Sequence, residues 1–186
     1  MVMQHCNCFN CTHTLTTTTT MAATTKPVMI VGVDDSEQSF FALEWTLDHF
    51  MVPSAPNPPF ELIIVNSKPF PPSSIGFAVP GVEILSHVDV DLRNIAARVI
   101  ERAKELCSSK SVNDATLEIV EGDARNVLCD AVERYHATML VVGSHGYGAI
   151  KRAVLGSVSD YVTHHAHCTV MVVKTPKAKH EEAHHH

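Results

Sequence analysis

Between positions 143 and 159 the chain reads Gly-Ser-His-Gly-Tyr-Gly-Ala-Ile-Lys-Arg-Ala-Val-Leu-Gly-Ser-Val-Ser. Gly143 and Gly146 allow a tight turn whose amides no Cβ obstructs, and Gly156 with Ser157 opens a helix. Free amides, the positive end of the helix dipole and the Ser157 and Ser159 hydroxyls together suit a phosphate. The plainer alternative is a glycine loop followed by an ordinary serine cap. Two familiar phosphate motifs are excluded. A P-loop needs Gly-x4-Gly-Lys-Ser/Thr, but Gly148 is followed by Ala149, and a dinucleotide fingerprint built on Gly146 and Gly148 needs a third glycine where Lys151 stands.

Asp34 ends a short apolar run and would face the glycine loop if their two strands are neighbours. A carboxylate beside phosphates repels them unless it accepts from ribose hydroxyls or shares a Mg²⁺ with them. Capping the next helix, alongside Asp35 and Ser36, is the competing role for Asp34. Other candidates carry less. His145 has no nucleophile or carboxylate pinned near it in sequence and reads as a loop histidine, not a catalytic base. Lys151 and Arg152 could neutralise a terminal phosphate, but read more simply as a solvated face of the excursion between the glycines. Cys6, Cys8, Cys11 and His13 are metal-ligand types, but their spacing fits no common zinc finger.

The elements that must position these residues alternate between strand and helix. Val28 to Val33 is a β-branched apolar run suited to a buried parallel strand, and Ser36 to Met51 carries Phe40, Leu43, Leu47, Phe50 and Met51 at helical spacing. Pro53 to Pro59 ends that helix. Leu62 to Val65 reads as the second strand, Ser67 to Gly81 as a long Pro- and Gly-rich connection, and Ile84 to Cys107 as a second helix with one apolar stripe. Ala115 to Val120 is the third strand, Asp123 caps a helix through Tyr135, Met139 to Val142 is the fourth strand, Gly156 to His165 the fourth helix and Thr169 to Val173 the fifth strand. Right-handed crossovers between short parallel strands give an open doubly wound five-stranded sheet of order 3-2-1-4-5, a Rossmann-like α/β fold. Ligands of such sheets lie beyond the carboxyl ends of the strands at the switch point, here the loops after strands one and four.

The chain has 186 residues, enough for one domain at roughly 100 to 200 residues each. With 45% apolar residues it is globular, and a net charge of −6 argues against a nonspecific nucleic-acid partner. No apolar run approaches the ~20 residues of a membrane-spanning helix. The cysteines do not form a disulfide framework, which fits a reducing, cytoplasmic compartment. The Thr-rich start, free of acidic residues up to Val33, leaves a plastid or mitochondrial transit peptide as the alternative. Residues 1–25 lack hydrophobic periodicity and are expected to form a disordered tail, residues 26–175 the domain, and residues 176–186 a polar tail.

Gly143, Gly146, Gly156 and Ser157 match the Gly-x2-Gly-x9-Gly-Ser fingerprint of the universal stress protein family, and Val31-Gly-Val-Asp34-Asp-Ser36, Gly122-Asp123-Ala and Val170-Met-Val-Val-Lys174 are also similar to that family. The chain resembles a plant-like member of its ATP-binding subgroup over about residues 27 to 175. Thr169 departs from the proline common before the last strand. The resemblance implies an ATP or AMP site formed by Gly32 and Asp34 after strand one, Ser67 after strand two through its backbone, Val142, Gly143 and Gly146 after strand four, and Gly156, Ser157, Val158 and Ser159 at the fourth helix, with Asp34 the candidate contact to Mg²⁺. It also implies a homodimer through the last strand and a stress-response role in which occupancy is the signal. The alternatives are a slow ATPase or adenylating enzyme and an interaction module with a vestigial pocket. Adenylating relatives usually carry Ser-Gly-Gly-x-Asp-Ser after strand one, and Gly32-Val-Asp34-Asp-Ser36 lacks the double glycine.

Overall fold

The computed structural model describes residues 26–70, 82–144 and 155–176, with 82–87 as backbone only. Five strands, β1 (Val28–Val33), β2 (Glu61–Lys68), β3 (Thr116–Glu121), β4 (Met139–Gly143) and β5 (Thr169–Val173), form one parallel sheet in the order β3-β2-β1-β4-β5. Four helices cross between them: α1 (Glu37–Thr46), α2 (Val82–Ser109), α3 (Ala124–Tyr135) and α4 (Ser157–His165). The architecture is the doubly wound sheet expected from the sequence.

Side chains alternate across a strand, so β1 serves two cores at once. Met29 and Val31 join Leu62, Ile64, Phe40, Leu43, Val99 and Ala103 under α1 and α2, whereas Ile30 joins Ile63, Val65, Leu140, Leu128, Val132 and Val162 under α3 and α4. Burial on both faces is why these strands are continuous apolar runs and not alternating ones.

Two expected boundaries shift. The first helix does not run as regular α-helix to Met51. It ends at Thr46, passes into a π-turn over Leu47–Met51, where the Val52 amide reaches Leu47 O, and finishes in a short 3₁₀ turn, Val52–Ser54, that contains Pro53. A proline has no amide with which to continue the ladder. β2 extends three residues beyond its apolar run. Asn66, Ser67 and Lys68 stay in register with Ile119, Val120 and Glu121 of β3, and both Asn66 and Lys68 are buried. Lys68 is tolerated inside because Asp89 and Glu121 pair with its ammonium at 3.1 and 3.0 Å, which raises its pKa. Among the described residues no helix is long and apolar enough to cross a membrane, and Cys107, Cys129 and Cys168 are free thiols.

Candidate functional site

β1 and β4 are hydrogen-bonded neighbours, Met29 opposite Met139 and Val31 opposite Val141. α1, which follows β1, packs on one face of the sheet and α4, which follows β4, on the other, so a crevice opens beyond Gly32 and Val142. It holds a cavity of about 300 Å³. Gly32, Val33 and Asp34 from β1, Val65 and Ser67 from β2, Ala124 and Leu128 from α3, and Val142 and Gly143 from β4 surround it, with Ser39 of α1 and Gly156 to Ser159 at the start of α4. Every site residue expected from the sequence that the structure describes therefore lines one cavity. Gly146, His145, Lys151, Arg152 and the N-terminal Cys and His residues lie outside the described residues.

Gly32 shapes the floor: a Cβ there would stand 3.1 Å from both methyl carbons of Leu128 and 3.4 Å from Val142 Cγ1, so its absence lets α3 approach the sheet.

The hydroxyls at the site divide into those the fold uses and those it leaves open. Ser36, not Asp34, caps α1: its Oγ accepts from the Ser39 amide at 3.2 Å and its hydroxyl donates to Asp34 Oδ1, which also accepts from the Ser36 amide at 3.1 Å. Asp34 thus braces the cap, and its Oδ2 takes no hydrogen bond among the described residues. Ser39 Oγ accepts from the Asp34 amide at 3.1 Å. The Ser67 hydroxyl donates to Gly122 O at 2.8 Å and so ties the end of β2 to the end of β3. Ser159 is 3% exposed; its Oγ accepts from the Gly156 amide at 3.0 Å and lies 3.1 Å from Ser144 O and Gly156 O as a donor. That hydroxyl is committed to holding the start of α4 against β4, whereas Ser157 is exposed at the cavity.

The three helix starts around the crevice differ. α1 has Ser36 as its cap and α3 has Asp123, whose side chain accepts from the Arg125 amide at 2.9 Å. α4 begins at Gly156, which has no side chain to accept from the first-turn amides. The amides of Ser157, Val158 and Ser159 therefore meet the cavity without a side-chain acceptor among the described residues, at the positive end of the helix dipole. An anion is the chemical complement of that arrangement. Among the described residues no three His, Cys, Asp or Glu side chains cluster to hold a metal, so any magnesium held at Asp34 would need the ligand's own phosphates to complete its coordination.

Sequence reasoning missed Val33, Ser39, Val65, Ala124 and Leu128. Val65 and Leu128 are signalled only as core residues, and their place beside the cavity follows from the sheet register. Asn66, between Val65 and Ser67, turns to the opposite face, where its Nδ2 donates to Val33 O at 2.9 Å and helps hold the ends of β1 and β2 together.

A doubly wound parallel sheet with an uncapped helix start at its switch point defines the class of small α/β domains built to receive an anionic ligand at the carboxyl ends of the strands. Within that class the chain belongs to the universal stress protein family, whose family model matches residues 27–174. It is 33% identical over 160 residues to the universal stress protein PHOS34 of Arabidopsis thaliana, an alignment covering 78% of this chain and 61% of the relative, so the chain spans about three fifths of that protein's length. Among solved structures it is similar to the universal stress protein UspA from Lactobacillus plantarum, with a TM-score of 0.64 and 19% identity, covering 80% of this chain and 98% of the other. It is also similar to a universal stress protein family protein from Arabidopsis thaliana with AMP bound, with a TM-score of 0.58 and 24% identity, covering 81% and 93%.

Proposed function

We propose that this protein binds an adenine nucleotide, ATP or AMP, in the cavity between β1 and β4 and that occupancy is its signal in a stress response. The observation that carries this reading is the uncapped start of α4 opening into a cavity at the switch point. The AMP bound to the Arabidopsis structure of the same fold supports it. In this reading the amides and hydroxyl of the Gly156-Ser157-Val158 turn hold a phosphate, and Asp34 Oδ2 accepts from ribose hydroxyls or meets a phosphate-bound Mg²⁺. Gly32, Val142 and Gly143 border the ligand at the ends of β1 and β4, and the backbone at Ser67 faces the base. Two copies associate through β5. Turnover is slow, below ~1 per second, because Asp34 is the ionisable side chain among the described lining residues, and in this reading its Oδ1 is held by Ser36 and its Oδ2 by the ligand, which leaves it no oxygen with which to activate a water.

Calorimetric titration with ATP and with AMP tests the site. Gly156 has φ −77° and ψ 164°, which any residue adopts, so Gly156→Val obstructs the ligand without straining the local backbone. It is expected to abolish binding, and Ser157→Ala to remove a charge-assisted hydrogen bond of ~1.5–3 kcal/mol, about a ten- to hundredfold loss of affinity. Unchanged affinity in a folded Gly156→Val protein overturns the assignment.

A further inference from the structure

We propose that Arg125 reads the terminal phosphates of the bound nucleotide and makes the site prefer the triphosphate over the monophosphate. The proposal rests on the nucleotide reading above and adds to it the residue that sets the number of phosphates.

Arg125 stands at the second position of α3, where a cation opposes the helix dipole. Positions that break a local rule are where functional or strained residues are expected, and this one follows Ala124, which lines the cavity. The same guanidinium is held in place from two sides. Its Nε donates to Asp123 Oδ1 at 2.9 Å and its Nη2 to Asp123 Oδ2 at 2.7 Å, and its Cζ lies 5.5 Å from the centre of the Tyr161 ring. Tyr161 is one helical turn beyond Ser157 on α4 and its ring stacks on that of His165 at 3.9 Å, so the guanidinium lies against the side of α4 about one turn from its uncapped start.

Charge gives this placement its consequence. The formal charge among the described lining residues is the negative Asp34. One phosphate is satisfied by the three open amides of α4, but a second and a third must extend to the rim and need a cation there. Among the described residues Lys68 does not supply it, since it turns to the other face of the sheet and is paired with both Asp89 and Glu121. Arg125 has a single carboxylate partner and is about half exposed, at 47% of its side chain. Its remaining guanidinium N–H groups, Nη1 among them, have no acceptor among the described residues, and a guanidinium matches phosphate oxygens in a fork.

The test is titration of the full chain with ATP and with AMP at two salt concentrations. For Arg125→Gln we expect ATP affinity to fall at least tenfold and to lose much of its salt dependence, while AMP affinity stays within about threefold. Asp123→Asn keeps a good helix cap while releasing the guanidinium from its carboxylate, and is expected to tighten ATP severalfold with little change for AMP. Equal losses for both nucleotides in Arg125→Gln, or no loss for either, overturn the proposal while leaving the nucleotide site standing. If Arg125→Gln does not fold, an unchanged ATP to AMP ratio in Asp123→Asn overturns it instead. A wild type that binds neither nucleotide is a different failure, that of the nucleotide reading itself.

Discussion

A Cβ added at Gly143 would stand 2.8 Å from the carbonyl carbon and oxygen of Gln38 and 3.0 Å from the Ser39 amide nitrogen. Backbone, unlike the end of a flexible side chain, cannot swing aside, so the first glycine of the loop is required by the packing of α1 against the end of β4 before any ligand arrives. Gly143→Ala is expected to destabilise the fold by ~1–3 kcal/mol, read as a lower midpoint in urea unfolding. An unchanged midpoint would show that α1 shifts away at little cost. Gly156 has an extended conformation open to any residue, so the two glycines of one motif differ: Gly143 is required by the fold, whereas the backbone at Gly156 does not itself demand a glycine.

At the scale of the element, α3 is preceded by Gly122, whose φ of +152° disfavours any side chain, and its cap Asp123 is tied to Arg125. The Arg125 side chain first, and the Arg125 amide second, hold the Asp123 carboxyl down at about 2, against a smaller upward push from burial. A folded-state pKa below the unfolded one means that Asp123 contributes stability fully above the ordinary range near 3.8 and loses it as the pH falls toward 2. Asp123→Ala should therefore cost about 1 kcal/mol near neutral pH, the usual worth of a helix cap. Thermal melts from pH 7 down to pH 2 should show wild type and variant converging only on the acid side. A gap that persists unchanged to pH 2 would assign the loss to something other than the carboxylate.

At the scale of the molecule, the sheet has two edges of different character. β3 carries Glu118, bound by Arg134 at 2.9 Å and by Tyr135, and Glu121, bound by Lys68, charges that discourage pairing with another chain. β5 reads Thr-Val-Met-Val-Val, with Val170, Met171 and Val172 half-buried and no charge. The Thr169 amide donates to Thr138 O at 3.2 Å and Val173 O accepts from the Ser144 amide at 2.9 Å, so the alternation of the strand leaves the amides of Val170 and Val172 on the open side. In the dimer we propose, those amides pair with a second copy, antiparallel across a two-fold axis. Val172→Pro removes an outward amide and leaves the ladder to β4 intact, so it is expected to give a folded monomer in sedimentation at micromolar concentration. Deleting residues 177–186 should leave a dimer. A monomeric wild type rules the pairing out.

The order and kind of the elements were legible in the sequence alone, because strands buried on both faces must be continuous apolar runs and Gly, Pro, Ser and Asp punctuate them. Val28 to Val33, Met139 to Val142 and the Asp123 cap are read directly in this way, and the spacing of Gly143, Gly156 and Ser157 pointed to an anion at the start of α4. The polar end of β2 was not legible, since Asn66 and Lys68 are buried by partners on β1, α2 and β3 that no local pattern announces. Nor was the division of labour among the serines. Ser36, Ser67 and Ser159 have the same chemistry as Ser157, but only the folded chain brings Gly122 O to Ser67 and Ser144 O to Ser159, and so decides which hydroxyls are spent on the structure. Hydrophobic periodicity is a property of neighbours along the chain, whereas the partner of a hydroxyl is chosen by strand register and helix packing across distant segments, which is why the fold could be read from the sequence and the chemistry of its site needed the structure.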